Sequence, residues 1–447
     1  MSSPVGADSQ QSLEGLLQLP HYTLRCLDTG ETISDEFESE TGNYPLTNPR
    51  SNTPAFLRAE YTRRRLEPGD PSLGLYQYAQ WLPVRRVIPG SSVPITYKST
   101  GLSRVLGLKE LYITFSGYRP EIGAHMISGT FKECEAYAVV GRLGREFTST
   151  LVIASAGNTA RAFHRVCSEQ NIPLLIVVPQ DNLDKLWRTW EPSPAARVVA
   201  AGDGADYSDA IALAELICRL PGYVPEGGAK NVARRDGMGT TMLSAAMTIG
   251  RIPDHYVQAV GSGTGAIAAW EANQRLIADG RFGTHTAKLH LAQNAPFTLL
   301  HDSWSRRRRE TVDIDEALGK EQISAISAAV LANRKPPYSP IGGLYDALSD
   351  TRGETYAVEN SAARAAGELF HELEGIDLEP AAAVATAALL GAVRNGNIGA
   401  TDTVMLNITG GGFERLNNEE AKQQIEPDLV LSREEWNLES LGKLIEK

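Results

Sequence analysis

From about residue 96 the chain alternates short β-branched or apolar runs with Ala-rich segments. That is the pattern of a parallel α/β sheet whose strands are covered on both faces. Several units of strand, small-residue loop and helix are legible. "STLVIAS" leads into "AGNTARAFHRVCSEQ", "PLLIVVP" into a loop and "KLWRTW", and "HYVQAVGS" into "GTGAIAAWEANQRLIADG". Further on, "EPAAAVATAALLGAV" predicts a buried helix and "TDTVMLNITGGG" a strand running into a glycine loop. Residues 1 to 95 read differently. Pro, Gly, Asn and Ser break the periodicity there and predict an irregular N-terminal extension of turns and short extended pieces.

Composition narrows the class. With 447 residues, 42% of them hydrophobic, the chain is long enough for two or three domains. No apolar run approaches the roughly 20 residues that span a bilayer. The start "MSSPVGADSQQ" has no charged segment followed by an apolar one, so a cytoplasmic protein is expected. A net charge of -11 argues against nucleic acid as a partner. Cys26, Cys134, Cys167 and Cys218 form no CxxC pair, which predicts reduced thiols and no metal cluster. Cys134 has no histidine paired with it in sequence and reads as helix packing rather than as a nucleophile.

Four short segments carry candidate chemistry. "GSGTG", Gly261, Ser262, Gly263, Thr264 and Gly265, lies between a strand and a helix, where converging N–H groups and a helix N-terminus suit a phosphate. It matches neither the dinucleotide fingerprint nor a P-loop, and by itself it is equally a bare turn. "SAGNT", Ser155, Ala156, Gly157, Asn158 and Thr159, either caps a helix or holds a substrate carboxylate while the Asn158 amide donates to a ligand oxygen. "SGTFKECE" places Lys132 between a small-residue turn and a helical run, and "NITGGG" ends a strand at Thr409 beside three glycines. A phosphate cradle, an amine, an amide donor and a neutral hydroxyl on loops of one sheet together suit pyridoxal 5′-phosphate.

In order and spacing these segments resemble the threonine synthase branch of the fold-type II pyridoxal-phosphate enzymes. "PITYKS", "YITFSGYRPEIGA", "VPEGGAKNVARRDGMGT", "GGLYDAL" and "LNITGGGFERL" look like the archaeal cysteate synthases, a resemblance running from about residue 56 to about 426. It implies a two-domain α/β fold of the tryptophan synthase β type, with parallel or mixed sheets flanked by helices and the cofactor between the domains. Residues 96–134 and 251–447 would form the large domain and 135–250 a small mobile one. Lys132 would be the Schiff-base lysine and acid-base group, Asn158 the partner of the cofactor's phenolic oxygen, Gly261 to Gly265 the phosphate loop, and Thr409 the partner of the ring nitrogen.

The implied reaction is β-replacement through an aminoacrylate: O-phospho-L-serine and sulfite give L-cysteate and phosphate. Two oxyanions need cations, and Arg161, Lys230, Arg234 and Arg235 are the candidates, beside the "SAGNT" residues for the substrate. His125 is a further pocket candidate, and His164 reads as packed. The run "RRRR" at 306 to 309 reads as a solvated helix end. Relatives commonly begin with a cysteine-rich zinc ribbon. Here "YTLRCLDTGETISDEF" keeps only Cys26, so no structural zinc is expected. The resemblance also implies a homodimer. Competing readings keep phosphoserine with sulfide or an amine as nucleophile, replace it by O-phosphohomoserine as in threonine synthase, or make the protein a non-catalytic relative, against which the intact Lys132 argues.

Overall fold

A computed structural model of the chain describes residues 19–36, 44–155 and 157–445. Its body is built on two sheets. The larger has six strands in the spatial order Glu354–Val358, Lys288–Asn294, His255–Ala259, Thr403–Ile408, Glu110–Phe115, Ile95–Lys98. All neighbours are parallel except the last pair. Its central strands are buried along nearly their whole length because helices cover both faces. Val257, Leu406 and Ile113 stand in register across three of them, all fully buried.

The smaller sheet has five parallel strands in the order Tyr223–Pro225, Thr150–Ala154, Leu174–Pro179, Ala196–Ala201, Leu429–Leu431. Its last strand comes from the far end of the chain. Residues 429–431 therefore pair with the smaller sheet, whereas the sequence reading groups 251–447 with the larger one.

Two other segments differ from the sequence reading. "KLWRTW" is not a helix: a 3-10 turn, Gln180–Lys185, leads into a two-residue strand, Trp187–Arg188. The "EPSP" that follows cannot continue a helix, and Trp187 lies under Arg161 instead. The N-terminal segment carries a three-stranded antiparallel sheet, with Tyr22–Cys26 between Thr32–Ile33 and Leu57–Tyr61. Strands of two to five residues between turn formers leave little periodic signal.

Buried ions fasten that segment to the body. Arg142, fully buried, pairs with Asp35 and donates to Asn231 Oδ1 at 2.9 Å. Glu271 joins Arg58 at 3.2 Å to Arg235 at 2.9 Å. The helices Lys132–Arg142 and Val232–Ile249 lie so close that a Cβ on Gly237 would stand 2.3 Å from the carbonyl oxygen of Cys134. Among the described residues no three His, Cys, Asp or Glu side chains gather as a metal site, and no helix is long and apolar enough to cross a membrane.

Candidate active site

Parallel strands present all their carboxyl ends at one edge, and loops leaving that edge meet in a cleft. The loop after His255–Ala259 is "GSGTG", and the loop after Thr403–Ile408 begins at Thr409. The lysine turn is zipped to the latter: Phe131 N–H donates to the Thr409 carbonyl at 2.9 Å, and Thr130 bridges Gly410. From the smaller sheet, the loop after Thr150–Ala154 supplies Ser155, Gly157 and Asn158. The cleft so formed is lined by Lys132, Ser155, Gly157, Asn158, Thr159, Arg234, Gly261 to Gly265 and Thr409. It holds about 90 Å³, below the roughly 300–1,000 Å³ of small-molecule sites.

The lysine turn places Lys132 at the first position of its helix. Its Nζ lies 3.2 Å from Glu135 Oε2, one helical turn on. Glu135 is fully buried, and its other oxygen accepts from the Thr159 hydroxyl at 2.9 Å and lies 3.2 Å from Arg234 Nη1. Arg234 in turn grips both oxygens of Glu226, at 2.8 and 2.6 Å. Burial opposes the Arg234 charge, but the carboxylates of Glu135 and Glu226 outweigh it and hold the guanidinium above its ordinary pKa.

Donors without acceptors face the cleft. Among the described residues the N–H groups of Ser262, Gly263 and Gly265 find no partner, while that of Thr264 reaches only the Ser262 hydroxyl at 3.3 Å. Gly263 has φ of 79°, a conformation that glycine adopts freely, and the helix Thr264–Asp279 starts directly after it. The Thr409 hydroxyl also bonds to no described residue, and Asn158 Nδ2 makes only a 3.4 Å contact with Glu379 Oε1. An anion cradle at a helix start, an amine and a free neutral hydroxyl fit pyridoxal phosphate in charge and in donor type.

Residues 96–410 match the family described as Pyridoxal-phosphate dependent enzyme. Among curated proteins the chain is 49% identical over 422 residues to a cysteate synthase of Methanosarcina acetivorans, covering 94% of this chain and 99% of that one. It is 50% identical over 398 residues to a cysteate synthase of Methanosphaerula palustris, covering 88% and 91%. The chain belongs to the pyridoxal-phosphate-dependent enzymes, in the cysteate synthase family. It is an enzyme, and pyridoxal 5′-phosphate is its cofactor. Solved structures agree on the fold. The processed form of threonine deaminase isoform 2 from Solanum lycopersicum superposes with a TM-score of 0.54 at 18% identity, over 73% of this chain and 86% of that one. Maize serine racemase gives 0.54 at 16%, over 73% and 92%. This is the fold-type II architecture.

Not every candidate is free in the cleft. Ser155 lines it but caps, its hydroxyl accepting from Gly157 and Ala160 N–H at 3.0 and 2.9 Å. Ala156 lies outside the described residues. Arg235 points away, fully buried against Glu271 and the Leu57 and Ala229 carbonyls, so it fastens the N-terminal sheet and is not free for substrate. Arg161 lines a neighbouring cavity rather than this one. His125 is exposed on the short strand Ala124–His125, off the cleft, and Lys230 is exposed too. His164 is buried and accepts from Trp190 Nε1 at 3.0 Å. Burial pushes the Cys134 thiol pKa well up, as packing predicts. Arg309 pairs with Asp346 and Arg307 covers Trp304, away from the cleft. Sequence reasoning missed Glu135, although its i+3 spacing from Lys132 on a helix was a usable signal. It also missed Glu379 and Gln258, whose sequence surroundings carry none.

Proposed function

We propose that the protein converts O-phospho-L-serine and sulfite to L-cysteate and phosphate. The Cβ–O bond to phosphate breaks, a Cβ–S bond to sulfite forms, and the proton taken from Cα is returned to it. The observation that carries this reading is the 49% identity to a cysteate synthase over 94% of the chain. The cleft supplies matching chemistry.

When bound, pyridoxal phosphate supplies the electron withdrawal that lets the Cα proton and the β-phosphate leave. Lys132 Nζ would hold the cofactor covalently and then take and return the Cα proton. Glu135, 3.2 Å away, would hold and orient that amine. The N–H groups of Ser262, Gly263 and Gly265 would hold the cofactor phosphate, with the Ser262 and Thr264 hydroxyls, 2.8 Å apart, beside them. Asn158 would donate to the phenolic oxygen and Thr409 would face the ring nitrogen, leaving the ring unprotonated. Gly157 and Thr159 would border the substrate. The small sheet and its helices would part to admit ligand and close to exclude water.

On this reading the enzyme acts as a homodimer in the cytoplasm. Its four unpaired cysteines suit a reducing compartment, and sedimentation of the purified protein checks the dimer.

The deciding experiment is a product assay with pyridoxal phosphate and phosphoserine, offering sulfite, sulfide and ammonia separately and in competition. Cysteate with stoichiometric phosphate is the expected result. Preference for sulfide or ammonia replaces the nucleophile. No phosphate release, with turnover of O-phosphohomoserine instead, overturns the reading in favour of threonine synthase chemistry.

A further inference from the structure

Two oxyanions pass through the proposed reaction, yet the basic pair that sequence pattern favours is already neutralised. Arg234 is held by Glu226 and Glu135, and Arg235 by Glu271. Two cations that make no salt bridge among the described residues lie next door. Arg161 is 4% exposed and has no carboxylate within ion-pair distance among the described residues. Its donors go to neutral oxygens: the Lys185 carbonyl at 2.9 Å, the Ser128 carbonyl at 3.3 Å and Asn158 Oδ1 at 2.8 Å. Its Nε, also buried, has no partner among the described residues.

Lys422 meets it across one indole. Arg161 Cζ stands 4.7 Å from the Trp187 ring centre and Lys422 Nζ 4.1 Å from the same ring, with Phe413 at 4.9 Å from Lys422. Aromatic faces soften the desolvation of a cation but leave its charge unbalanced. Both residues line a cavity of about 360 Å³ that shares Asn158, Val330 and Glu379 with the cofactor cleft, and Lys185 lies on it as well.

The nearby carboxylates offset these charges only in part, Glu379 acting on Arg161 and Asp377 on Lys422 without forming an ion pair with either. Glu379 is spent as a helix cap, accepting from Ala381 N–H at 2.9 Å, and burial raises its pKa. Asp377 accepts from the Phe413 and Glu414 N–H groups at 2.9 and 3.3 Å. Asp184 is exposed at the rim. The imbalance has a visible cost: burial pushes Arg161 down to about 10, and burial together with the Arg161 charge lowers Lys422. A buried, unpaired cation with an idle donor beside a cavity is the arrangement that an incoming anion stabilises.

We propose that the Arg161–Lys422–Trp187 cavity is a binding site for a small oxyanion, sulfite or phosphate, next to the cofactor cleft. The choice of these two anions rests on the reaction proposed above. The site itself rests only on the charges and the cavity. Joined to the cleft through Asn158, it would hand over the incoming sulfite or receive the departing phosphate.

Sulfate, an oxyanion with no nucleophilic lone pair on sulfur, is the probe for the site. Calorimetric titration of the holoenzyme with sulfate should show binding that Lys422→Gln weakens about tenfold, the effect of one lost charge-assisted bond, and that Lys422→Arg restores. Lys422 is partly exposed in a loop, so the fold should survive either change. Absent sulfate binding, or equal affinity in wild type and Lys422→Gln, overturns the site. Kinetics then separate the two sources. A raised KM for sulfite with an unchanged KM for phosphoserine assigns the incoming anion. The reverse, with weakened product inhibition by phosphate, assigns the leaving one. If neither constant moves, the site has no part in turnover and the proposal fails. Should phosphoserine prove not to be a substrate, the sulfate titration still reads the site on its own.

Discussion

Lys132 shows how much one residue's surroundings decide. Its amine shares a buried carboxylate with Thr159 and Arg234. Lys132→Ala should abolish both turnover and the visible-edge absorbance of the bound cofactor while leaving the thermal transition nearly unchanged; retention of both colour and activity would refute the assignment. Glu135→Gln keeps the shape but removes the charge beside Lys132 and one of the two that balance Arg234, and it should lower kcat more than it changes KM for phosphoserine. At His164 the effect is on stability. Burial, aided by the Arg188 charge, lowers its pKa to about 4, and Trp190 donates to its Nδ1. The ring is neutral when folded and protonates on unfolding below about pH 6.5. Its contribution is therefore complete above that pH and is lost as the pH falls toward 4, up to about 3 kcal/mol. Urea melts of wild type and His164→Gln between pH 7 and 4 should differ by a constant amount above pH 6.5, and the wild type should lose that margin as the pH falls toward 4.

At the scale of elements, the two close-packed helices carry Lys132 and Glu135 on one and Arg234 on the other. Gly237→Ala would push the helix Val232–Ile249 against the Cys134 carbonyl, so it should cost about 1–3 kcal/mol and weaken cofactor affinity by displacing Lys132. Absorbance titration with pyridoxal phosphate checks this, and unchanged affinity and stability would mean the helices part freely. Legibility followed length and locality. The buried helix Pro380–Arg394 and the strand Thr403–Ile408 were readable because each is a mostly apolar run bounded by turn formers. "KLWRTW" and the N-terminal strands were not. Their conformations are set by partners far along the chain, as when Trp187–Arg188 pairs with Gln423–Gln424.

For the whole molecule, the sheets differ in what holds them. The smaller one is closed at one edge by a three-residue strand from the chain's end, and the larger is covered on both faces by long helices. The strands Thr150–Ala154 and Tyr223–Pro225 should exchange amide hydrogens faster than Thr403–Ile408 and should be slowed by phosphoserine in the holoenzyme; equal protection in both sheets would argue for a rigid cleft. The sequence by itself determined the strand-loop-helix order, the place of Lys132 and the glycine loop, because turn chemistry and apolar periodicity act over a few residues. Only the tertiary structure decided which arginines are free. Arg235 is matched by Glu271, 36 residues on, and Arg161 shares an indole with Lys422 from the opposite end of the chain. Charge pairing depends on distance in space, and a linear pattern of basic residues does not carry it.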